Sequence, residues 1–270
     1  MVCAMSTSLR LLITAVLLLT AGIAPATADE PVVLCDGKPA TMLGTPGDDK
    51  IIGDASDDVI VGFGGNDTLV GAGGNDTICG FDGDDTIIGG PGDDVLLGGR
   101  GSDWVDYRSA HRRNLIIDLA AGTAEGNGSD TLRSIENVEG NDHHNEIYGN
   151  GADNILPDDG GQDVVWGRGG DDVIEAGREF TELRGGPGDD HLSAASYDGF
   201  WGPPVMQGGT GNDTIVSNGN RDVMGGPGND HITILAGFGV VHPGNGDDIV
   251  DDSTGSAIVS YWNAPGPIDV

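Results

Sequence analysis

A nine-residue repeat constrains the fold of this chain more than any other feature of its sequence. From Gly44 to Asp106 the chain divides into seven consecutive blocks of nine residues, each beginning with glycine. The eighth place is aliphatic in every block, and the sixth place is always an aspartate: Asp49, Asp58, Asp67, Asp76, Asp85, Asp94 and Asp103. A period this strict over so many units is typical of stacked repeat architectures.

The block from Gly71 to Cys79 shows what nine residues can build. Its first six residues are rich in glycine, asparagine and aspartate, which tolerate tight turns and positive φ. In the extended segment that follows, alternate side chains point to opposite faces, so Ile78 at the eighth place should face inward. Several glycines per block argue against a helix. The pattern therefore predicts an all-β fold: a parallel β-roll or β-solenoid in which two blocks form one coil and blocks n and n + 2 stack about 4.8 Å apart.

This stacking places the sixth-place aspartates above one another in a chain whose formal net charge is −32. Two carboxylates about 5 Å apart repel by roughly 0.8 kcal/mol in bulk water, and by several-fold more near a protein surface. Burial of two aliphatic side chains per coil, at about 2 kcal/mol each, cannot offset this repulsion and the entropy of ordering the coil. A cation that accepts six to eight oxygen ligands in flexible geometry would neutralise the columns, which favours calcium over magnesium. The acidic charge argues against nucleic acid and anionic membranes as partners.

The individual blocks also resemble a known repeat. GAGGNDTIC, GFDGDDTII and GGPGDDVLL are similar to the nonapeptide GGxGxDxUx of the RTX (hemolysin-type) calcium-binding β-roll family. The resemblance implies Ca²⁺ held between turns n and n + 2 by the sixth-place aspartates and by loop carbonyls. Seven blocks allow up to five such pairs, the first of them Asp49 and Asp67.

The repeat is interrupted and then returns in a degraded form. An irregular spacer at 107–139 carries the pattern DLxxGxAxGxGxDTLxxIENVxG, which looks like spacers between RTX arrays in secreted bacterial proteins. A second, degenerate array is predicted at 140–260, with an aromatic insertion at 194–207 that either covers a seam or binds sugars or partners. Its fewer stacked carboxylates predict a weaker dependence on metal, and its predicted ligands are Asp172, Asp190, Asp213, Asp230 and Asp248.

The two ends of the chain carry different signals. Residues 1–28 have the pattern of a secretory signal peptide, with an apolar run too short to span a membrane and a small-x-small cleavage site. This predicts an extracellular protein exported by the general Sec route, without membrane insertion after cleavage. Residues 29–43 and 261–270 are predicted caps for the ends of the roll. Cys35 and Cys79 would then lie in an oxidising compartment, either as a disulfide or as two free thiols.

Residue patterns for catalysis are weak throughout the sequence. Ser109, His111 and Asp106 are hydrolase residue types, but no nucleophile-elbow pattern surrounds any serine. The sequence therefore predicts a secreted calcium-binding β-roll protein whose folding is coupled to extracellular calcium, with a structural or binding role and no enzymatic activity.

Two other functions stay open at this stage. One is an accessory module or enzyme acting on acidic polysaccharide, and the other is a cell-surface adhesin or matrix protein. Four spacer arginines either neutralise the acidic roll internally or form a polyanion-binding patch: Arg108, Arg112, Arg113 and Arg133.

Overall fold

The structure is a computed structural model, and it describes residues 32–110, 114–158, 160–177, 182–197, 205–219, 221–237, 239–252, 255 and 257–261. The predicted signal peptide lies outside the described residues, as do Arg112, Arg113, residues 198–204 of the predicted aromatic insertion and the tail after Tyr261. Every regular element in the described ranges is a β-strand, and none of these residues forms a helix that could cross a membrane.

The strands form one large sheet, two smaller sheets and an N-terminal hairpin. The large sheet has 14 strands, in spatial order Met42–Leu43, Val59–Gly64, Thr77–Asp82, Val95–Arg100, Ser129–Arg133, Thr123–Glu125, Leu115–Asp118, Asn145–Tyr148, Val164–Trp166, Glu182–Pro187, Val205–Thr210, Asp222–Pro227, Val240–Asn245 and Ile258–Val259. The five-stranded sheet contains Lys50–Ile52, Thr68–Val70, Thr86–Ile88, Trp104–Asp106 and Asn137–Glu139. The six-stranded sheet contains Ile155–Asp158, Val173–Ala176, His191–Tyr197, Thr214–Gly219, His231–Ala236 and Ile249–Asp252.

The strand register follows the repeat. Ile60 pairs with Ile78 in the large sheet and Ile51 pairs with Leu69 in the five-stranded sheet, in both cases in parallel and 18 residues apart. Two nine-residue blocks thus make one coil, with one strand in each sheet. The prediction of an all-β parallel β-solenoid of stacked nonapeptides is confirmed.

The core lies between the sheets and is built from the eighth place of each block. In the first array these side chains are fully buried from the second block onward, and each contributes about 2 kcal/mol by leaving water. In the first array they are Ile60, Leu69, Ile78, Ile87, Leu96 and Val105, all with 0% exposure. They belong to one hydrophobic cluster that continues as far as Val241 in the second array. Because each coil contributes only two side chains to this core, the turns must be stabilised by other interactions.

The spacer inserts an antiparallel excursion into the large sheet without breaking it. Ser129–Arg133 pairs in parallel with Val95–Arg100, and Leu115–Asp118 pairs in parallel with Asn145–Tyr148. Between them, Thr123–Glu125 pairs antiparallel with both of its neighbours. The sequence predicted an irregular spacer at 107–139, and the structure adds a strand within it because Thr123–Glu125 has a partner on each side.

The N-terminal hairpin, Leu34–Cys35 with Lys38–Pro39, is tied to the first array by a disulfide between Cys35 and Cys79. Cys79 is at the ninth place of its block, where side chains were predicted to face outward. It is nevertheless only 5% exposed, because the hairpin covers it. The structure thus decides between the two states of the cysteines that the sequence left open.

Candidate metal centre

The sixth-place aspartates point into the turns and are buried. Nine of the predicted ligands are at most 2% exposed: Asp67, Asp76, Asp85, Asp94, Asp103, Asp172, Asp190, Asp213 and Asp230. Asp49, Asp58 and Asp248, near the ends of the arrays, are partly buried. Carboxylates are rarely buried to this degree unless they are paired or bind a metal.

Hydrogen bonds connect these aspartates into ladders that run along the solenoid. The backbone N–H of Asp67 donates to Oδ1 of Asp85 at 2.8 Å, and the N–H of Asp85 donates to Oδ1 of Asp103 at 2.9 Å. The same bond recurs between blocks n and n + 2 in both arrays, with the N–H of Asp230 donating to Asp248 as its last example. One oxygen of each accepting carboxylate is thus satisfied by a backbone N–H of the preceding coil.

The second carboxylate oxygen has no hydrogen-bond donor. Oδ2 is buried and unpartnered in all nine buried aspartates named above. It lies against the first glycine of its own block: a Cβ built on Gly80 would be 2.0 Å from Asp85 Oδ2 and 2.9 Å from the carbonyl oxygen of Gly98. Two acceptor oxygens therefore face the same small space, and a cation is the kind of group that both could bind.

Burial raises the pKa of these carboxyl groups, because the charged form loses its hydration. The pKa rises from 3.8 to about 7 for Asp94, Asp103, Asp172 and Asp213, and to about 6 for Asp85 and Asp190. Burial is the largest cause in each case. The backbone hydrogen bond lowers the pKa, and neighbouring carboxylates such as Asp85 and Glu136 beside Asp103 raise it further. The pKa of Asp67, Asp76 and Asp230 is also raised, again mainly by burial.

The turns fall into two kinds, which we call closed and open. In a closed turn, the N–H of the second-place residue donates to the sixth-place side chain of the same block. Thr45 donates to Asp49 Oδ2 at 2.5 Å and Asp54 donates to Asp58 Oδ2 at 3.0 Å. These two aspartates therefore find donors within the protein.

In an open turn, the second-place residue adopts positive φ and Oδ2 is left without a donor. This left-handed conformation is unfavourable for residues other than glycine, yet Phe63, Ala72 and Phe81 adopt it, with φ of +80°, +80° and +83°. All nine aspartates with an unpartnered Oδ2 lie in such turns, whose second-place residues are Phe63, Ala72, Phe81, Gly90, Gly99, Arg168, Gly186, Gly209 and Gly226. Positive φ at the second place of every open turn indicates a shared backbone geometry, which is strained where that residue is not glycine.

A second ladder at the fifth place was not predicted from the sequence. The N–H of Asp84 donates to Asn66 Oδ1 at 3.0 Å, and the N–H of Ser102 donates to Asp84 Oδ1 at 2.8 Å. These side chains are exposed, and their bonds run in the opposite direction to those of the sixth-place ladder. The signal was present, because the fifth place of the first array is always Asp, Asn or Ser.

The spacer supplies two further members of the sixth-place ladders, which were not predicted from the sequence. The N–H of Asp94 donates to Asp130 Oδ1 at 3.0 Å, and the N–H of Asp103 donates to a carboxylate oxygen of Glu136 at 3.0 Å. Asp130 could have been found from the triplet Asp-Thr-Leu, which it shares with Asp67. The structure also joins Asp190 to Asp213 at 2.9 Å, across a gap of 23 residues that hides the pairing from a nine-residue count.

The described arginines of the spacer are engaged in ion pairs within the chain. Arg108 pairs with Asp106 at 2.7 Å and with Glu139 at 3.2 Å, and Arg133 pairs with Asp36 at 2.7 Å. Within the described ranges, this arrangement favours internal neutralisation over a polyanion-binding patch.

Side chains alone do not complete a metal site. The described residues contain no group of three or more His, Cys, Asp or Glu side chains arranged to hold a metal ion. Each open turn instead combines carboxylate oxygens with backbone carbonyls of glycine-rich loops. Calcium accepts both kinds of ligand in flexible geometry, so the donor set fits calcium.

These features define a class of protein: a parallel β-solenoid of nine-residue turns with ladders of buried carboxylates. A comparison with protein-family models matches the RTX calcium-binding nonapeptide repeat in 4 copies, at residues 43–78, 80–109, 148–179 and 199–232. The chain belongs to this family of RTX calcium-binding repeat proteins. A search of curated proteins finds no match to the sequence.

Proposed function

We propose that this chain is a secreted calcium-binding β-roll protein whose folding is coupled to extracellular calcium, with a structural or binding role and no catalysis. The observation that supports it is the set of nine buried Oδ2 atoms without donors. At neutral pH these oxygens must be protonated or neutralised by a cation if the open turns are to stay folded. Because the site exists only in the folded chain, the free energy of calcium binding becomes free energy of folding.

The proposed ligands are the sixth-place aspartates, together with loop carbonyls. Their full set comprises Asp49, Asp58, Asp67, Asp76, Asp85, Asp94, Asp103, Asp172, Asp190, Asp213, Asp230 and Asp248. The nine of them in open turns are the stronger candidates. At the partly buried Asp49 and Asp58, a backbone N–H already occupies Oδ2.

Removal of calcium is expected to unfold the arrays. Far-UV circular dichroism of the full chain should lose most of its strand signal in a chelator and regain it with excess Ca²⁺. Mg²⁺ should restore less of the signal, because it requires a smaller and stricter octahedron of ligands. An unchanged strand signal in chelator and in calcium would contradict the proposal.

Two adjacent substitutions locate the ligand within a block. Asp85→Asn should reduce the number of calcium ions counted by titration calorimetry by at least one, because it removes a buried charge from an open turn. Asp84→Asn is the matched control: it removes one charge at the exposed fifth place and keeps the oxygen that accepts the N–H of Ser102. Equal calcium counts for the two variants would show that the sixth place is not the binding position.

A further inference from the structure

In the middle of the solenoid, the chain's own side chains supply hydrogen-bond donors to buried acceptors of the turns. We define this central segment as residues 107–158, of which 111–113 are not described. At Asn154, which occupies a sixth place and is 1% exposed, Oδ1 accepts the N–H of Asn150 at 2.8 Å and Nδ2 donates to the carbonyl of Glu136 at 2.7 Å. The side chain thus has a donor where an aspartate would present a second acceptor.

Asn145, the other sixth-place asparagine, also supplies hydrogen-bond donors, in this case to its own loop. Its Nδ2 donates to the carbonyl oxygens of Asn141 and His143, both at 2.8 Å. Loop carbonyls are the ligands that a calcium ion would otherwise engage. The amide group therefore binds acceptor atoms that would require a cation if the residue were aspartate.

The buried aspartate of the central segment is satisfied without a cation. Asp130 is 4% exposed, and its Oδ1 accepts the N–H of Asp94 at 3.0 Å. Its Oδ2 accepts the hydroxyl of Tyr107 at 2.7 Å. In the open turns the corresponding Oδ2 has no such partner. Tyr107 hence ends one carboxylate ladder of the first array with a neutral donor.

We infer that the central segment folds without calcium and remains folded when calcium is removed, between two arrays that require it. This inference rests on the proposed function and sharpens it: calcium binding is split into two separate groups of open turns, at blocks 62–106 and from 167 onward. In a solenoid each coil contacts only its neighbours, so a stable central segment can act as a template from which both arrays fold.

The test is hydrogen exchange of the full chain, read by mass spectrometry, in chelator and in calcium. Amides of the central strands Asn145–Tyr148 and Ile155–Asp158 should stay protected in both conditions. Amides of Thr86–Ile88 and Val205–Thr210 should lose at least about 100-fold protection in chelator. Loss of protection in the arrays and the central segment alike would overturn this inference and leave calcium-coupled folding intact. Full protection everywhere in chelator would instead contradict the proposed function.

Two reciprocal substitutions in stacked turns test whether an amide donor at the sixth place replaces a calcium ion. Asn154→Asp replaces the amide donor with an acceptor facing the Glu136 carbonyl, so protection of 155–158 in chelator should fall at least about tenfold and return with calcium. Asp172→Asn, one coil further along the same ladder, should raise protection of Val173–Ala176 in chelator and reduce the calcium count by one. Unchanged exchange in Asn154→Asp would overturn the inference.

A milder variant keeps the test valid if Asn154→Asp fails to fold. Tyr107→Phe removes only the hydroxyl that donates to Asp130, so Ser129–Arg133 should exchange faster in chelator while the rest of the segment stays protected. No change in that strand would show that the hydroxyl does not replace a cation and would count against the inference.

Discussion

In a chelator, the unfolded arrays are expected to regain their strands when the pH is lowered from about 8 to about 5. Burial raises the pKa of Asp94, Asp103 and Asp172 from 3.8 to about 7. A carboxyl group whose pKa is higher in the folded chain than in the unfolded chain stabilises the fold fully below about 3.8, and this contribution disappears as the pH rises through about 7. Protons should therefore replace calcium at acidic pH.

A pH titration followed by circular dichroism, with and without calcium, measures this effect. In calcium the strand signal should stay constant over the range, whereas in chelator it should rise on acidification with a midpoint between about 6 and about 7. As a control, about 1 M NaCl at pH about 8 should not restore the fold. Salt screens the net charge of −32, but folding would still have to bury ionised carboxylates. Loss of strand signal on acidification would contradict the expectation.

Gly80→Ala is expected to be among the most damaging single substitutions in the first array. Gly80 is buried and its φ lies outside the left-handed region, so the effect comes from contact alone. The new Cβ would be 2.0 Å from Asp85 Oδ2 and 2.9 Å from the Gly98 carbonyl, which requires the carboxylate or the next coil to move. We expect a loss of roughly 3 kcal/mol in the free energy of unfolding in calcium, and one calcium ion fewer.

Gly151→Ala is the matched control for this substitution. A Cβ at Gly151 would meet nothing within 4 Å, and this glycine is exposed and also has no positive φ. The free energy of unfolding of the Gly151→Ala variant should differ from that of the unchanged protein by less than about 0.5 kcal/mol. Urea denaturation in calcium, together with calorimetric counting of ions, compares the two variants. Equal losses for Gly80→Ala and Gly151→Ala would show that the space beside Asp85 has no special role.

The strict period made the stacking of coils and the inward position of the eighth residue predictable. Ile78 and Leu96 are at the same place of their blocks, pair with each other and are both fully buried. The period also predicted that sixth-place aspartates stack between alternate blocks. The distinction between closed and open turns was not predictable, because Phe63 and Phe81 adopt a backbone conformation that phenylalanine normally avoids. Only the three-dimensional strain at these positions reveals it.

Where the spacer interrupts the repeat, the ladder partners depart from the usual separation of 18 residues. Asp130 lies 36 residues after Asp94, twice the usual separation, because an antiparallel excursion brings Ser129–Arg133 beside Val95–Arg100. Glu136 lies 33 residues after Asp103, which is not a multiple of nine. The repeat also did not decide whether the two cysteines form a disulfide. Cys79 has an outward place in the repeat, and only the hairpin that covers it brings Cys35 within bonding distance.

The separation of 18 residues between stacked partners has a consequence for how such a chain can change in length during evolution. Neighbouring blocks belong to different sheets, so the gain or loss of a single block would transfer every later strand to the opposite sheet. Duplications and deletions should therefore be inherited in pairs of blocks. Leu192 and Ile215 illustrate the tolerated exception, since they are 23 residues apart and still pair in the same sheet. Extra residues that add no strand leave this parity unchanged.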